Sequence, residues 1–156
     1  MAQEIYLAEL SKPRRSKEFH AKTAMERKGA ILTENELAKE VVRICFEIHS
    51  VFGPGLFESV YEEIFCYEWD KLFIPYSRQH GVKVIHQGKD MGIGFIPDLV
   101  IDNKLILELK SVENLAEVHY KQLLTYLRIT NLKLGLLINF NVPLIKNGIH
   151  RMVNNL

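Results

Sequence analysis

At 156 residues, with 47% hydrophobic and 25% charged side chains, the chain has the length and composition of one globular domain with its own core, which excludes wholesale disorder. Its formal net charge of +1 excludes a broadly basic protein, so any surface for nucleic acid has to be a local patch balanced by acids elsewhere. No apolar run approaches the length of a membrane span and the first residues lack the apolar core of a signal peptide, so the expected setting is cytoplasmic and reducing, with Cys45 and Cys66 as buried free thiols.

Residues 1–30 differ in character from the rest. Lys12, Arg14, Arg15, Lys17, Lys22, Arg27 and Lys28 outnumber Glu4, Glu9, Glu18 and Glu26, with no period. A flexible basic tail is expected there, with an arm that grips phosphates as the alternative, and residues 31–156 are expected to form the folded domain. Thr33-Glu34-Asn35-Glu36 is a capping box, and Leu37, Val41, Ile44, Cys45, Ile48 and Phe52 follow at helical spacing, which predicts a helix over 34–51. Gly53-Pro54-Gly55 breaks it. Leu56, Phe57, Val60, Tyr61, Ile64, Phe65 and Leu72 predict a second helix, ended by Pro75.

Alternation through Val82, Val84 and His86 ahead of a polar turn predicts a first strand. The stretch from Phe95 to Ser111 predicts two more, joined as a hairpin. Leu115, Val118, Gln122, Leu123, Tyr126 and Leu127 predict a third helix over 114–130. Leu134 to Phe140 is then a strand buried on both faces, parallel to one hairpin strand because a helix crosses over before it, and Gly148 to Val153 is expected to add an edge strand or a closing segment. The simplest packing is an α/β fold in which a mixed sheet of about four strands is flanked by helices.

The hairpin carries Asp98, Glu108 and Lys110 among residues that are nearly all apolar. Isolated carboxylates in such a place protonate or seek a cation. Side chains two apart share a strand face, so Glu108 and Lys110 point one way while Leu107 and Leu109 point the other. Asp98 joins them only if Ile101 faces Leu105, which makes Asp102-Asn103-Lys104 a three-residue loop. In that register the two carboxylate-bearing Cβ atoms are roughly 5 Å apart, a spacing that suits one hard divalent cation. Lys110 beside it is placed to act on water or on developing phosphate charge. Two other acid-x-Lys triplets, Glu26-Arg27-Lys28 and Asp102-Asn103-Lys104, fail, the first because it lies in the aperiodic tail and the second because it is the turn itself.

Pro97-Asp98, nine residues, then Glu108-Leu109-Lys110 resembles the signature of the PD-(D/E)xK nuclease superfamily. Gly55 to Tyr61 matches the Gly-x-x-Glu-x-x-Tyr element of the GxxExxY protein family, and Gln122-x-x-x-Tyr126 resembles an element of a RecB-like branch of the superfamily. The likeness runs from about Thr33 to Leu156. It implies a restriction-endonuclease-like core and a magnesium- or manganese-dependent nuclease acting on nucleic acid, DNA ahead of RNA; the alternative is a nuclease-fold module that binds nucleic acid or protein and turns over weakly or not at all. The resemblance also implies the site. Asp98, Glu108, Glu58 and Lys110 are its expected catalytic residues, and the first three are its metal ligands. Gln122 and Tyr126 support them, and helical spacing places His119 on the same face of the third helix as a further supporting residue. A homodimer is an additional expectation, since the small domain has little surface beyond its core for a target. Glu62 is expected to be exposed, and His49 to be structural or exposed.

Overall fold

The structure, a computed structural model, describes residues 31–156; the basic segment 1–30 lies outside the described residues. Helix α1 (Glu34–Phe52) starts at the expected capping box, in which the Thr33 hydroxyl accepts from the Glu36 N–H and the Glu36 carboxylate accepts from the Thr33 N–H. Its stripe Leu37, Val41, Ile44, Cys45 and Ile48 is buried, whereas Phe52, the last predicted member, stays exposed. Helix α2 (Glu58–Asp70) begins two residues later than Leu56, after Phe57 caps it in an extended conformation, and Gly55 in the turn before takes φ +111°, a conformation only glycine adopts without strain.

Strand β1 (Tyr76–Arg78) is followed by β2 (Val82–His86), β3 (Lys89–Phe95), β4 (Leu99–Ile101) and β5 (Leu105–Lys110). Helix α3 (Glu117–Thr130) then crosses over to β6 (Leu134–Asn139), and a 3-10 turn at Ile145–Asn147 leads into β7 (Ile149–Val153). Five strands form one mixed sheet in the order β1-β4-β5-β6-β7, with β5 and β6 parallel as the crossover requires and every other pair antiparallel. Strands β2 and β3 stand apart as a two-stranded ribbon. The sequence pattern anticipated neither β1, a polar three-residue strand, nor β3, whose residues before Phe95 are all exposed and so carry no burial period.

The architecture is therefore α/β, a five-stranded mixed sheet between helices, consistent with a restriction-endonuclease-like core. Leu105, Leu107 and Leu109 of β5 face the main core built by α1 and α2, while Ile106 faces Leu123 and Leu127 of α3. The alternation of β5 thus puts Glu108 and Lys110 on the α3 side.

The far end of β6 is closed by a buried side-chain amide. The Asn139 Nδ2 donates to the Val112 carbonyl at 2.8 Å, and its Oδ1 accepts from the N–H groups of Val112 and Asn141 at 3.1 and 3.2 Å. Gly148 passes so close that a Cβ there would lie 2.0 Å from the Asn139 carbonyl oxygen. The chain leaving β5 is thereby tied to the chain leaving β6. Asn139→Ala strips three partners from buried or half-buried backbone groups, so urea unfolding should show a loss of about 2–3 kcal/mol. A loss below about 0.5 kcal/mol would mean that this tie is dispensable.

Candidate functional site

The site is assembled at the C-terminal end of β5. Leu99 pairs with Leu107, Val100 with Ile106 and Ile101 with Leu105, the register in which Asp98 stands opposite Glu108. Asp102 and Asn103 both take left-handed φ in the intervening loop, +49° and +51°, as a three-residue turn of Asp, Asn and Lys allows.

Asp98 is anchored twice. Its Oδ2 accepts from the Leu109 N–H at 2.8 Å, and its Oδ1 from the Gln79 side-chain amide at 3.1 Å. Lys110 lies among oxygens. Its Nζ is 3.3 Å from Glu58 Oε1, 3.6 Å from Glu108 Oε2 and 3.9 Å from Asp98 Oδ2, and it donates to the Leu109 carbonyl at 3.2 Å. Glu58, the first residue of α2, accepts from Lys110 and also from the Ser111 N–H at 3.1 Å, which joins the start of that helix to the end of β5.

The loop that delivers Glu58 is itself fastened. The buried Tyr61 ring stacks on Phe140 with centroids 4.2 Å apart, its hydroxyl donates to the Gly53 carbonyl and accepts from the Leu56 N–H, and Ser111 Oγ donates to the Leu56 carbonyl at 2.7 Å. Gly55, Glu58 and Tyr61 thus have separate tasks: turning, reaching β5 and locking the turn.

One atom has no partner. With its carboxyl ionised, Glu108 Oε1 is the only buried side-chain oxygen or nitrogen among the described residues that makes no hydrogen bond, whereas the protonated carboxyl shares a hydrogen bond with Asp98. Burial, and after it the Asp98 charge, pushes the Glu108 carboxyl up to about 8 despite Lys110 beside it. Burial pulls the Lys110 ammonium down, but Asp98, Glu108 and Glu58 together more than reverse this, so its pKa ends above the ordinary value. The Tyr126 phenol is raised by burial and then by Glu108.

Glu58, Asp98, Glu108 and Lys110 are brought together, and Tyr126 borders them with its ring stacked on Phe95 at 3.9 Å. Gln122 is exposed one turn before Tyr126. His119 is engaged at the start of α3, where its Nδ1 accepts from the Ala116 N–H at 3.1 Å, and no hydrogen bond or ion pair joins it to the four. His49 bonds the Val142 carbonyl at 2.8 Å. Glu62 is not exposed as expected: it is buried and accepts from Arg78 and Gln79. Arg78 and Gln79 were missed because they flank the end of a strand too short to carry a pattern.

The donor set, two carboxylates with one orphaned buried oxygen, has the chemistry of a hard-cation site. Among the described residues no three His, Cys, Asp or Glu side chains gather into a metal cage, so Glu58 stands one ammonium away from the Asp98 and Glu108 pair.

A family model of the PD-(D/E)XK nuclease superfamily matches residues 35–152, which include every one of these side chains. The chain belongs to that superfamily. No curated protein and no solved structure gives a significant match. PD-(D/E)XK nucleases generally use divalent metal ions, and the fit of the Asp98 and Glu108 pair agrees with that habit. The sheet of this superfamily member places the pair at the end of β5, where α2 and α3 both approach. No helix among its described residues is long and apolar enough to cross a membrane.

The raised Glu108 carboxyl sets a pH dependence. Below its ordinary value of 4.5 both folded and unfolded chains hold the proton; between there and about 8 only the folded chain keeps it, so stability falls as pH rises. Glu108→Gln, a neutral mimic of the protonated form, should therefore raise the metal-free unfolding free energy by up to roughly 4 kcal/mol at pH 8 and leave it nearly unchanged at pH 4. Equal stability of the two proteins from pH 4 to pH 9 would contradict this.

Proposed function

We propose that the protein is a metal-dependent nuclease that hydrolyses phosphodiester bonds of nucleic acid, DNA ahead of RNA, with Mg2+ or Mn2+ held by Asp98 and Glu108. The observation that carries this reading is the unpartnered Glu108 Oε1 beside Asp98 at the end of β5. A divalent cation would supply Lewis acidity toward a phosphoryl oxygen and make a water more acidic.

The chain's own residues have distinct parts. Asp98 presents oxygens that keep a lone pair each after the Leu109 and Gln79 bonds, and Glu108 presents its free Oε1. Lys110 is held as an ammonium by its surroundings, which supports a role in stabilising charge on the phosphoryl oxygens rather than in removing a proton from water. Glu58 orients that ammonium and, through water, adds a third carboxylate to the site. Tyr126 leaves its hydroxyl open beside Glu108 for water or phosphate, Gln122 meets substrate from the exposed turn before it, and His119 supports the first turn of the same helix.

The test is incubation with circular and linear, single- and double-stranded DNA and with RNA, in Mg2+ or Mn2+, beside Asp98→Ala and Lys110→Ala. Cleavage should require the metal and fall at least roughly 100-fold in each variant. Cleavage undiminished in both variants would sink the assignment. Binding without cleavage on every substrate would favour a nuclease-fold binding module instead.

A further inference from the structure

Asp98 is held from outside the hairpin by a chain of three polar side chains that no part of the motif contains. Arg78, the last residue of β1, donates through Nε to Glu62 Oε1 and through a terminal nitrogen to Glu63 Oε1 at 2.8 Å. Glu62, buried on α2, accepts with its other oxygen from Gln79 Nε2 at 3.0 Å, and the same nitrogen donates to Asp98 Oδ1 at 3.1 Å. Both protons of one amide are thus committed to two carboxylates.

This arrangement has one orientation. A carboxylate only accepts, so the Gln79 amide must turn its nitrogen, not its oxygen, toward both Glu62 and Asp98. Arg78 neutralises Glu62, which lets a further carboxylate, buried like Glu108, stand close to Asp98. The backbone agrees with the side chain. Gln79 takes a left-handed φ of +49°, unusual for a residue other than glycine, and its N–H donates to the Asp98 carbonyl at 3.0 Å. Main chain and side chain of Gln79 therefore both clasp Asp98, while Leu109 holds the other carboxylate oxygen.

From this geometry we infer that Gln79, oriented by the Arg78 and Glu62 pair, is a positioning residue that fixes the Asp98 carboxylate for a divalent cation. The inference rests on the cation reading of Asp98 and Glu108. Groups that orient a metal ligand commonly change metal affinity or activity by 10–100-fold when removed. Gln79→Met keeps the length and removes the donor; Gln79→Ala removes the bulk as well and serves where the methionine is not accommodated.

The experiment is a Mn2+ titration of the full metal-free chain by electron paramagnetic resonance, with Asp98→Ala alongside, followed by kcat and KM for nucleic-acid cleavage. The expected result is a Mn2+ dissociation constant raised about tenfold in Gln79→Met and Gln79→Ala, with kcat lowered and KM for nucleic acid unchanged. Wild-type Mn2+ affinity in the Gln79 variants, with affinity lost in Asp98→Ala, would overturn the role of Gln79 alone. Affinity unchanged in Asp98→Ala too would overturn the cation reading and this inference with it.

Discussion

The pairing of β4 with β5 is the constraint on which the site depends. Strand side chains alternate, so a slip of one residue would send Glu108 and Lys110 into the core of α1 and α2 and bring Leu107 and Leu109 out toward α3. The burial of Leu105, Leu107 and Leu109 resists that slip strongly, since each is fully enclosed and each contributes on the order of 2 kcal/mol. The hydrophobic core thus holds two carboxylates opposite each other. Parallel pairing of β5 with β6 removes any remaining freedom, with Glu108 beside Leu137 and Lys110 beside Asn139.

Electrostatics follow from that placement. Two carboxylates and little water make full ionisation unfavourable, which is why the Glu108 carboxyl is raised although an ammonium lies 3.6 Å from it. Lys110 divides its charge among Glu58, Glu108 and Asp98 and satisfies none of them fully. Such a cluster is a poor device for stability, because a lone lysine cannot replace the hydration of three carboxylates. It leaves Glu108 Oε1 unpartnered in a chain of a superfamily whose nucleases generally use divalent metal ions.

Much of this is legible in the sequence because it is local. The Thr33 and Glu36 capping box marks the start of α1, the apolar runs mark three helices and β6, and the need to put Asp98 on the face of Glu108 dictates the three-residue loop. What was hidden depends on partners distant in sequence. Strand β1 exists because Tyr76, Ser77 and Arg78 pair with Ile101, Val100 and Leu99, not because of its own composition. Glu62 resembles any charged helix residue until Arg78 and Gln79 are folded against it. His119 lies at the right helical spacing for the site, but its imidazole is used at the helix start, where backbone N–H groups lack partners. Spacing predicts which face a side chain occupies; it does not predict which neighbour reaches it first.

We propose that the carboxylates of Asp98 and Glu108 form a divalent-cation site. A crystal of the metal-free protein soaked in Mn2+ and measured for anomalous scattering tests this most directly. The expected result is a peak between the two carboxylates, about 2.1 Å from Glu108 Oε1 and from an Asp98 oxygen, with Lys110 moved aside. Ordered carboxylates with no peak between them, and Lys110 still lodged among their oxygens, would contradict it.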